Sequence, residues 1–492
     1  MQTINQLRLT VGHTEEQLRA KIAKKLGLAA GTEFTYEIVR RSLDARKKPQ
    51  IYYVYTVDVG DGSCRGDRPR SPSVIAAADD CGQARAPGHC PSPLIVGAGP
   101  AGLFCAYTLA QVGLRPILLE RGEAIEERTK TVARFGQEGI LDPESNVQFG
   151  EGGAGAFSDG KLNTQIKDRE GWKKAVLSVL VDCGAPAEII YEQKPHLGTD
   201  VLAKVVAALR ERIIEMGGEV RFQQKVTGIV LDGDKITGVI INDGEEIAAS
   251  QVVLAIGHSA RDTFTMLHEA NVPLEVKPFA VGLRVEHPQA VINQAQYGVA
   301  AHPILGAAEY KLASKSEPSA YSFCMCPGGF VVNASSEPNR LAINGMSYSA
   351  RRGSKANAAI VMPVGVADFG SDHPLAGLEY QRRLEERAFA VGGGAIPVAY
   401  FGDFREAVYH KSDKVAPRAM RYGLNIIPCT KGKWYHAPVH EILTEAQNHV
   451  FIRAMEEFGR LIPSFDDELT LIAGVESRTS SPVRILRDEH CQ

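Results

Sequence analysis

No Cys-x-x-Cys pair occurs anywhere in the 492 residues. That absence argues against the dithiol relay used by disulfide reductases. The nine cysteines are an odd number and form no dense, even framework. Free thiols in a reducing compartment are therefore expected. Long apolar runs are also missing, and none approaches the ~20 residues a membrane helix needs. The opening stretch MQTINQLRLTVGH has no charged head followed by an apolar core, so it does not read as a secretory signal. Charge of one sign is lacking too. A net charge of -3 gives no overall pull toward nucleic acid or an anionic membrane. The expectation is a cytoplasmic protein with no membrane, metal or nucleic-acid partner. No internal repeat is visible.

What is present suits a soluble protein with real cores: 44% hydrophobic and 23% charged residues. The length suits two or three domains. Residues 1–59 read as a small α/β module. Leu7–Val11 alternates like a strand, and Thr14 caps a helix to about Leu26, with Glu15 and Glu16 in its first turn. A strand follows at Tyr36–Val39, then a basic turn, RRSLDARKKPQ, then a strand, IYYVYTVDV. Arg40, Arg41, Arg46, Lys47 and Lys48 could meet phosphate. A solvated turn is the better reading, because no stacking aromatics are interleaved in the pattern of nucleic-acid binders. Residues 60–92 are rich in Gly, Pro, Arg, Ser and Cys and read as a linker that can bury little.

The strongest signal begins at Leu94, in PLIVGAGPAGLFCAYTLAQVGLRPILLERG. An apolar strand, Leu94–Val96, runs into Gly97, Gly99 and Gly102, which fit G-x-G-x-x-G, with Pro100 and Ala101 between them. Gly97 permits a tight turn. Gly99 lets a pyrophosphate approach backbone at a helix N-terminus, where free N–H groups and the dipole favour anions. Gly102 allows close helix–strand packing. A second strand, Ile117–Leu119, ends at Glu120, placed to grip a ribose hydroxyl pair.

Three further segments bear on the cofactor. Val147–Thr164, VQFGEGGAGAFSDGKLNT, is glycine-dense, with Gly152, Gly153 and Gly155 able to bring backbone close to a ligand. Strand Val252–Ile256 ends at Gly257, where backbone would again approach. In EVRFQQKV, Val226 would lie beside an adenine if this half is FAD-like. From about 276 to 459 the pattern is mixed and strand-rich, with a helix at LEYQRRLEERAFAV. No second G-x-G-x-x-G is visible, so a tightly docked NAD(P)H domain is not supported. Transient NAD(P)H contact or another electron donor stays open.

Catalytic residues are not identified. His258 could donate a proton, and Asp159 and Lys161 could face a flavin or simply pair with each other. Arg284, His287, Arg478 and Arg484 could clamp an anionic substrate but are as readily structural charges. Cys324 and Cys326 alternate onto one face of a strand. They read as small buried core residues, with a redox pair as the other reading.

Seven segments together resemble one family: RRSLDARKK, NVQFGEGGAGAFSDGKL, AIGHSARDTF, KPFAVGLRVEHPQ, FCMCPGGFVVNASSE, NGMSYSARRG and ESRTSSPVRILRD. It is the group of FAD-dependent dehydrogenases of largely unassigned reaction, related to the glutathione-reductase-type FAD proteins of bacterial type. The resemblance covers most of residues 1–59 and 93–490. It implies that Gly97, Gly99, Gly102, Glu120 and Arg121 hold the ADP half of FAD and that the Gly152–Gly155 loop passes near the flavin. Residues 60–92 and Arg418–Gln447 depart from the family pattern. The family also continues into a glycine-rich C-terminal segment where this chain stops at Gln492, so the resemblance implies a C-terminally truncated chain.

The expected fold is α/β. A three-layer, Rossmann-like FAD/NAD(P)-binding domain (93–275, completed by 460–492) carries an inserted strand-rich substrate domain (276–459) and a small N-terminal module (1–59). The expected function is an FAD-dependent oxidoreductase acting on an organic substrate. The alternatives are a flavin-binding RNA-associated protein and an inactive truncated flavoprotein. Oligomeric state is not legible.

Overall fold

The computed structural model describes residues 2–29, 32–60, 92–164, 168, 170–410 and 426–488. The linker and its three cysteines fall outside the described residues over 61–91, as does 418–425 of the stretch that departs from the family.

The N-terminal module is an antiparallel sheet of β1 (Gln2–Thr10), β2 (Thr35–Lys47) and β3 (Gln50–Gly60), ordered β1-β3-β2, with helix α1 (Glu15–Leu26) between β1 and β2. Thr14 and Gln17 form a reciprocal capping box at the start of α1. Leu18 and Ile22 pack from the helix onto Tyr55 and Val57. The basic stretch expected as a turn is instead strand. Arg40–Asp44 pairs with Tyr52–Thr56, and only Lys48 and Pro49 turn the chain. The long apolar partner strand β3 carries the charged residues along by its ladder. Three of the five charges are engaged within the protein, and Arg40 and Lys47 are exposed. Arg41 Nε donates to Glu192 at 3.0 Å and its guanidinium sits over Tyr53 and Tyr191. Arg46 binds Asp44 bidentately, and Lys48 donates to the Ala295 carbonyl. The RNA-binding alternative therefore has no support from this cluster.

The second unit is built on a four-stranded parallel sheet. Its elements in order are β4 (Leu94–Val96), α2 (Pro100–Gln111), β5 (Ile117–Leu119), α3 (Ile125–Glu138), α4 (Trp172–Asp182), α5 (Thr199–Glu215), β6 (Glu219–Arg221), the antiparallel β7 (Val226–Asp232), β8 (Lys235–Ile241) and β9 (Glu245–Ala248), then β10 (Val252–Leu254), α6 (Arg261–Glu269) and β11 (Leu274–Val276). The parallel order is β10-β4-β5-β6. Alternation sends Ile95 and Leu118 to one face, against Leu103 and Ala106 of α2 and Val205 and Leu209 of α5. It sends Leu94, Val96 and Leu119 to the other, against Val226, Val239 and Ile241 of the β7–β9 layer. Both faces of the short parallel strands are covered, which explains why LIV and ILL are apolar throughout. This is the expected three-layer, Rossmann-like arrangement.

The third unit follows as β12 (Phe279–Pro288), α7 (Gln289–Tyr297), β13 (Tyr321–Cys326), β14 (Phe330–Asn333), β15 (Ile343–Met346), β16 (Lys355–Val364), α8 (Val366–Phe369), α9 (Ala376–Val391), β17 (Ile396–Tyr400), α10 (Phe401–His410), β18 (Thr430–Lys431), β19 (Trp434–His436), α11 (Glu445–Gly459), β20 (Leu471–Glu476) and β21 (Val483–Ile485). Its main sheet has the order β13-β16-β12-β20-β17-β19. The largest core lies here, between this sheet and helices α9 to α11.

Residues 460–488 do not complete the dinucleotide fold as a block. Strand β20 sits in the six-stranded sheet between β12 and β17, with all six of its side chains buried. An interior strand covered on both faces is the one place such a run is satisfied. Only β21 returns, pairing antiparallel with β11 and setting Val483 against Phe264 and Leu378. No helix among the described residues is long and apolar enough to cross a membrane.

A buried ionic knot joins the second and third units. Glu385 of α9, fully buried, accepts from Arg261 at the start of α6 at 2.7 and 2.9 Å, from Arg478 at 3.0 and 2.9 Å, and from Ser477 at 2.6 Å. The two guanidiniums hold this carboxylate far below the ordinary range, against the opposing effect of burial. Replacing Glu385 by Gln leaves two buried arginines short of a counter-charge, and the expected cost is ~3–5 kcal/mol. Glu386→Gln, one residue on and exposed in its pair with Arg340, should cost ~0–1 kcal/mol. Denaturant unfolding of the two variants checks the difference; equal effects would contradict the knot's role.

Candidate functional site

A large cavity of about 1420 Å³ opens at the carboxyl ends of the parallel strands. It exceeds the ~300–1,000 Å³ of ordinary small-ligand pockets and is long enough in its lining to take a dinucleotide. One wall is the β4–α2 turn: Gly97, Gly99, Pro100 and Ala101. Gly97 has φ +103°, and a Cβ there would lie 2.5 Å from the Ala255 carbonyl oxygen. The start of α2 has no side-chain cap, and Pro100 occupies the first turn. The amides after it are left for a ligand rather than for the protein.

Facing this turn is the glycine-dense loop, which also explains its composition. Gly152 N–H donates to the Ala98 carbonyl at 2.8 Å. A Cβ on Gly153 would stand 3.1 Å from the Gly99 Cα, so the two backbones meet glycine on glycine. Gly153 has φ +61° and lines the cavity beside Ala154. Behind the loop lies Arg128 of α3, fully buried. Its guanidinium donates to the carbonyls of Asn146 at 2.9 Å, Val147 at 3.1 Å, Gly150 at 3.1 Å, Glu151 at 2.6 Å and Gly153 at 2.9 Å. A side chain at Gly150 would overlap the Arg128 stem. Burial pulls this guanidinium down to about 10, still protonated at neutral pH.

Glu120 does the complementary work with negative charge. One oxygen accepts from Ala98 N–H at 2.7 Å. The other accepts from Gly122 at 3.0 Å and Gly150 at 2.9 Å. A carboxylate offers about four acceptor sites, so acceptor capacity remains toward the cavity that Glu120 lines. Arg121 also borders the cavity, but its guanidinium is engaged by Glu144 at 2.6 Å and bidentately by Asp262 at 2.8 Å, over the Phe149 ring. Val226 and Gly257 line the same cavity, and Val226 packs against Leu94, Val96 and Leu119.

Nine of the twelve residues expected from the sequence thus meet at one cavity. The other three stand behind it. A Cβ on Gly102 would overlap the Gly97 carbonyl, Gly152 packs on Ala156 and Val206, and Gly155 belongs to the turn Ala154–Phe157. Arg128, Glu151 and Gln148 were not singled out from the sequence. Arg128 lies in a helix whose pattern is ordinary, and no local signal marks it. Gln148 lines the cavity and accepts from Ser259 Oγ at 2.9 Å.

The candidate catalytic groups are mostly occupied. His258 borders the cavity, but its Nε2 lies 3.0 Å from the Arg478 carbonyl, and burial lowers its pKa to about 4. It is neutral at pH 7 and carries its N–H toward that carbonyl. Arg284 is fully buried against Glu476 at 2.9 Å and Asn357 at 2.7 Å. His287 lies against the Phe465 ring and carbonyl. Arg478 belongs to the Glu385 knot, and Arg484 pairs on the surface with Glu275 at 2.6 Å. Asp159 and Lys161 do pair, at 2.7 Å, and Ser347 and Arg351 join them on Asp159.

Two outcomes follow for the loop. Arg128→Met strips a charged donor from five buried carbonyls. A buried acceptor left unpaired costs roughly 1–3 kcal/mol, so a loss above about 3 kcal/mol is expected in denaturant unfolding, with weaker cofactor retention. Unchanged stability would contradict the hub. Glu151 is buried with Oε2 bound to Ile125 N–H at 2.8 Å and Arg210 at 2.7 Å. Burial dominates and pushes its pKa up from 4.5 to about 7. The folded state therefore holds this proton more tightly than the unfolded chain does. Its contribution to stability is full below about 4.5 and is lost as pH rises through about 7. Glu151→Gln should flatten the decline in unfolding free energy between those values, measured as the wild-type-minus-variant difference against pH.

Known families match in segments. Residues 278–479 match the family described as FAD-dependent protein, C-terminal domain-like. Residues 202–308 match FAD dependent oxidoreductase, 95–141 an NAD(P)-binding Rossmann-like domain, and 1–60 a domain of unknown function. A Clostridium beijerinckii protein described as uncharacterized is 42% identical over 503 aligned positions, covering 99% of this chain and 91% of that one. Among solved structures, the halogenase PltM is 14% identical, covering 56% of this chain and 51% of that one at a TM-score of 0.30. The Diels-Alderase PyrE3 is 16% identical, covering 55% and 46% at 0.26. Lactococcus lactis thioredoxin reductase is 19% identical, covering 34% and 35% at 0.19. This chain spans less than two thirds of each of these three structures. The family matches, the full-length relative and the dinucleotide-type cavity agree: the chain belongs to the FAD-dependent oxidoreductases, with FAD as its cofactor.

Proposed function

We propose that the cavity at the β4–α2 turn seats FAD and that the enzyme oxidises or reduces a small organic substrate. The observation that carries this reading is the glycine-on-glycine contact of Gly99 and Gly153 beside an uncapped helix start. In this reading Gly97, Gly99, Pro100, Ala101 and the backbone they free receive the pyrophosphate. Glu120 takes the ribose of the ADP half, and Val226 lies at the adenine end. Gly153 and the loop to Gly155 border the flavin, and Gly257 closes the strand end opposite. Arg121 braces the wall through Glu144 and Asp262 rather than binding the ligand by charge.

When bound, FAD supplies the electron or hydride transfer. The chain's own residues bind, orient and exclude water. Arg128 and Glu120 hold the loop rigid so that its glycine backbone stays close against the ligand. His258, neutral at pH 7, offers no proton from a charged ring; with its N–H on the Arg478 carbonyl it shapes the wall. NAD(P)H is the proposed electron donor, by transient contact, since the sequence carries one dinucleotide fingerprint. The reading divides the chain into the module 1–59, a cofactor domain over 93–275 and a substrate domain over 276–459. It places the protein in the cytoplasm.

Anaerobic absorbance spectroscopy tests it. Purified protein incubated with FAD should show flavin bands that bleach on adding NADPH or NADH. Gly99→Val, whose side chain enters the gap to Gly153, should weaken FAD binding at least about tenfold, equivalent to ~1.4 kcal/mol, with circular dichroism unchanged. A protein that takes up no flavin would sink the reading. Bound flavin that neither nicotinamide bleaches would remove NAD(P)H from it.

A further inference from the structure

Cys324 and Cys326 lie outside the cofactor cavity, at the junction of the glycine-dense loop and the six-stranded sheet. The sequence pattern made them two same-face residues of a regular strand. In such a strand, residues two apart have Cα atoms about 6.6 Å apart. That is the outer edge of the ~4.4–6.8 Å a disulfide spans. The structure departs from regularity here. Phe323 pairs with Ala359 and Cys326 with Asn357, so β13 carries one extra residue between them. Cys324 takes up the bulge with φ +44°, a left-handed value rare outside glycine. The kink folds the two cysteines toward each other, and Cys326 Sγ comes within 3.3 Å of the Cys324 carbonyl oxygen. Backbone strain of this kind concentrates at functional positions.

The surroundings are cationic and cramped. Lys161 Nζ donates to the Met325 carbonyl at 2.5 Å, between the two cysteines. Arg284 Nη1 donates to the Cys324 carbonyl at 3.2 Å. Ser158 Oγ sits 3.8 Å from Cys324 Sγ. Two carboxylates are near, and each is already neutralised: Asp159 by Lys161 and Arg351, Glu476 by Arg284. A Cβ on Gly345 would lie 2.7 Å from Cys326 Sγ, so glycine is what leaves room for the second sulfur. The two thiols differ in access: Cys324 is partly exposed and Cys326 is buried.

We propose that Cys324 and Cys326 form a dithiol–disulfide couple, with Cys324 the attacking sulfur, Cys326 the resolving one and a small diffusible disulfide as oxidant. The Cys324 thiolate attacks one sulfur of R–S–S–R, forming a Cys324–S–S–R bond and releasing one thiolate, which takes a proton from solvent. Cys326 then gives up its proton and attacks Cys324 Sγ. The intramolecular disulfide forms and the second R–S⁻ leaves with that proton. Two protein thiols lose two electrons, and one small disulfide becomes two thiols. The electrostatics divide the roles in the same sense. The hydrogen bond from Cys326, then Lys161 and Arg284, hold Cys324 well below an ordinary thiol. The same hydrogen bond and burial hold Cys326 well above it. Attack is by thiolate, so the more accessible, low-pKa sulfur goes first.

The test uses the full-length holoprotein and oxidised glutathione. After incubation, denaturation and alkylation, mass spectrometry of the peptide containing both residues should show two hydrogens lost and no alkyl group on either sulfur. Cys326→Ser should stop at a glutathione adduct on Cys324, and Cys324→Ser should give no adduct on Cys326. Before oxidation, iodoacetamide at pH 7 should modify Cys324 at least about tenfold faster than Cys429, whose thiol burial pushes up. Flavin content and circular dichroism of each variant guard against misfolding, and the rate comparison needs no variant at all. Both sulfurs remaining alkylatable, an adduct on Cys326 first, or equal rates for Cys324 and Cys429 would overturn the proposal.

Discussion

One buried guanidinium organises the cofactor side of this protein. Among the described residues Arg128 has no carboxylate partner in hydrogen-bond range, and it spends its donors on carbonyls of a single loop. Hydrogen bonds from a charged group contribute more than neutral ones, roughly 1.5–3 kcal/mol each. They offset the cost of taking the charge out of water. The carbonyls that face Arg128 cannot face the cavity, and the amides of Gly150, Glu151, Gly152 and Gly153 are spent on Glu120, Glu123, Ala98 and Gly150, so the loop meets its neighbours with glycine Cα hydrogens. The glycines follow from this. A loop wound around a guanidinium at this radius needs positive φ at Gly150, Gly152 and Gly153. Its outer face must then meet the Gly99 turn without side chains.

Glu120 is the counterpart on the sheet side. Its carboxylate collects amides from the β4 turn, its own turn and the glycine loop. Three separate chain segments are thereby tied at one point at the end of β5. The residue chosen for a ribose contact is also a structural anchor, and the two duties are compatible because a carboxylate has more acceptor sites than the backbone takes. Preorganisation of the cavity therefore rests on one cation and one anion placed on either side of the same loop.

The third unit is attached to this platform by charge as well as by apolar packing. The Arg261–Glu385–Arg478 knot joins the helix after Gly257 to α9 and to the chain after β20. His258 touches the same knot through the Arg478 carbonyl. Arginines that looked available for substrate are consumed by this architecture. The same architecture brings β13, with its bulge at Cys324, against Ser158 at the end of the glycine loop. Cys324, in the bulge, is partly exposed, and Cys326, which pairs with Asn357 in the ladder, is buried.

The amino-acid sequence alone determined the dinucleotide turn, the acid at the end of β5, the Thr14 helix cap and the family. Each depends on residues close in the chain, or on glycines whose conformation no other residue adopts cheaply. Tertiary structure alone decided the rest. RRSLDARK became strand because β3 offered it a ladder, and LIAGVE joined the six-stranded sheet because only there are both faces buried. Arg128, Glu385 and the Cys324 bulge left no local trace. Their partners lie 18 to 25, 92 to 124 and 31 to 36 residues away in sequence. A charge or a kink acquires its meaning from what the fold brings to it, and periodicity along the chain carries no record of those distances.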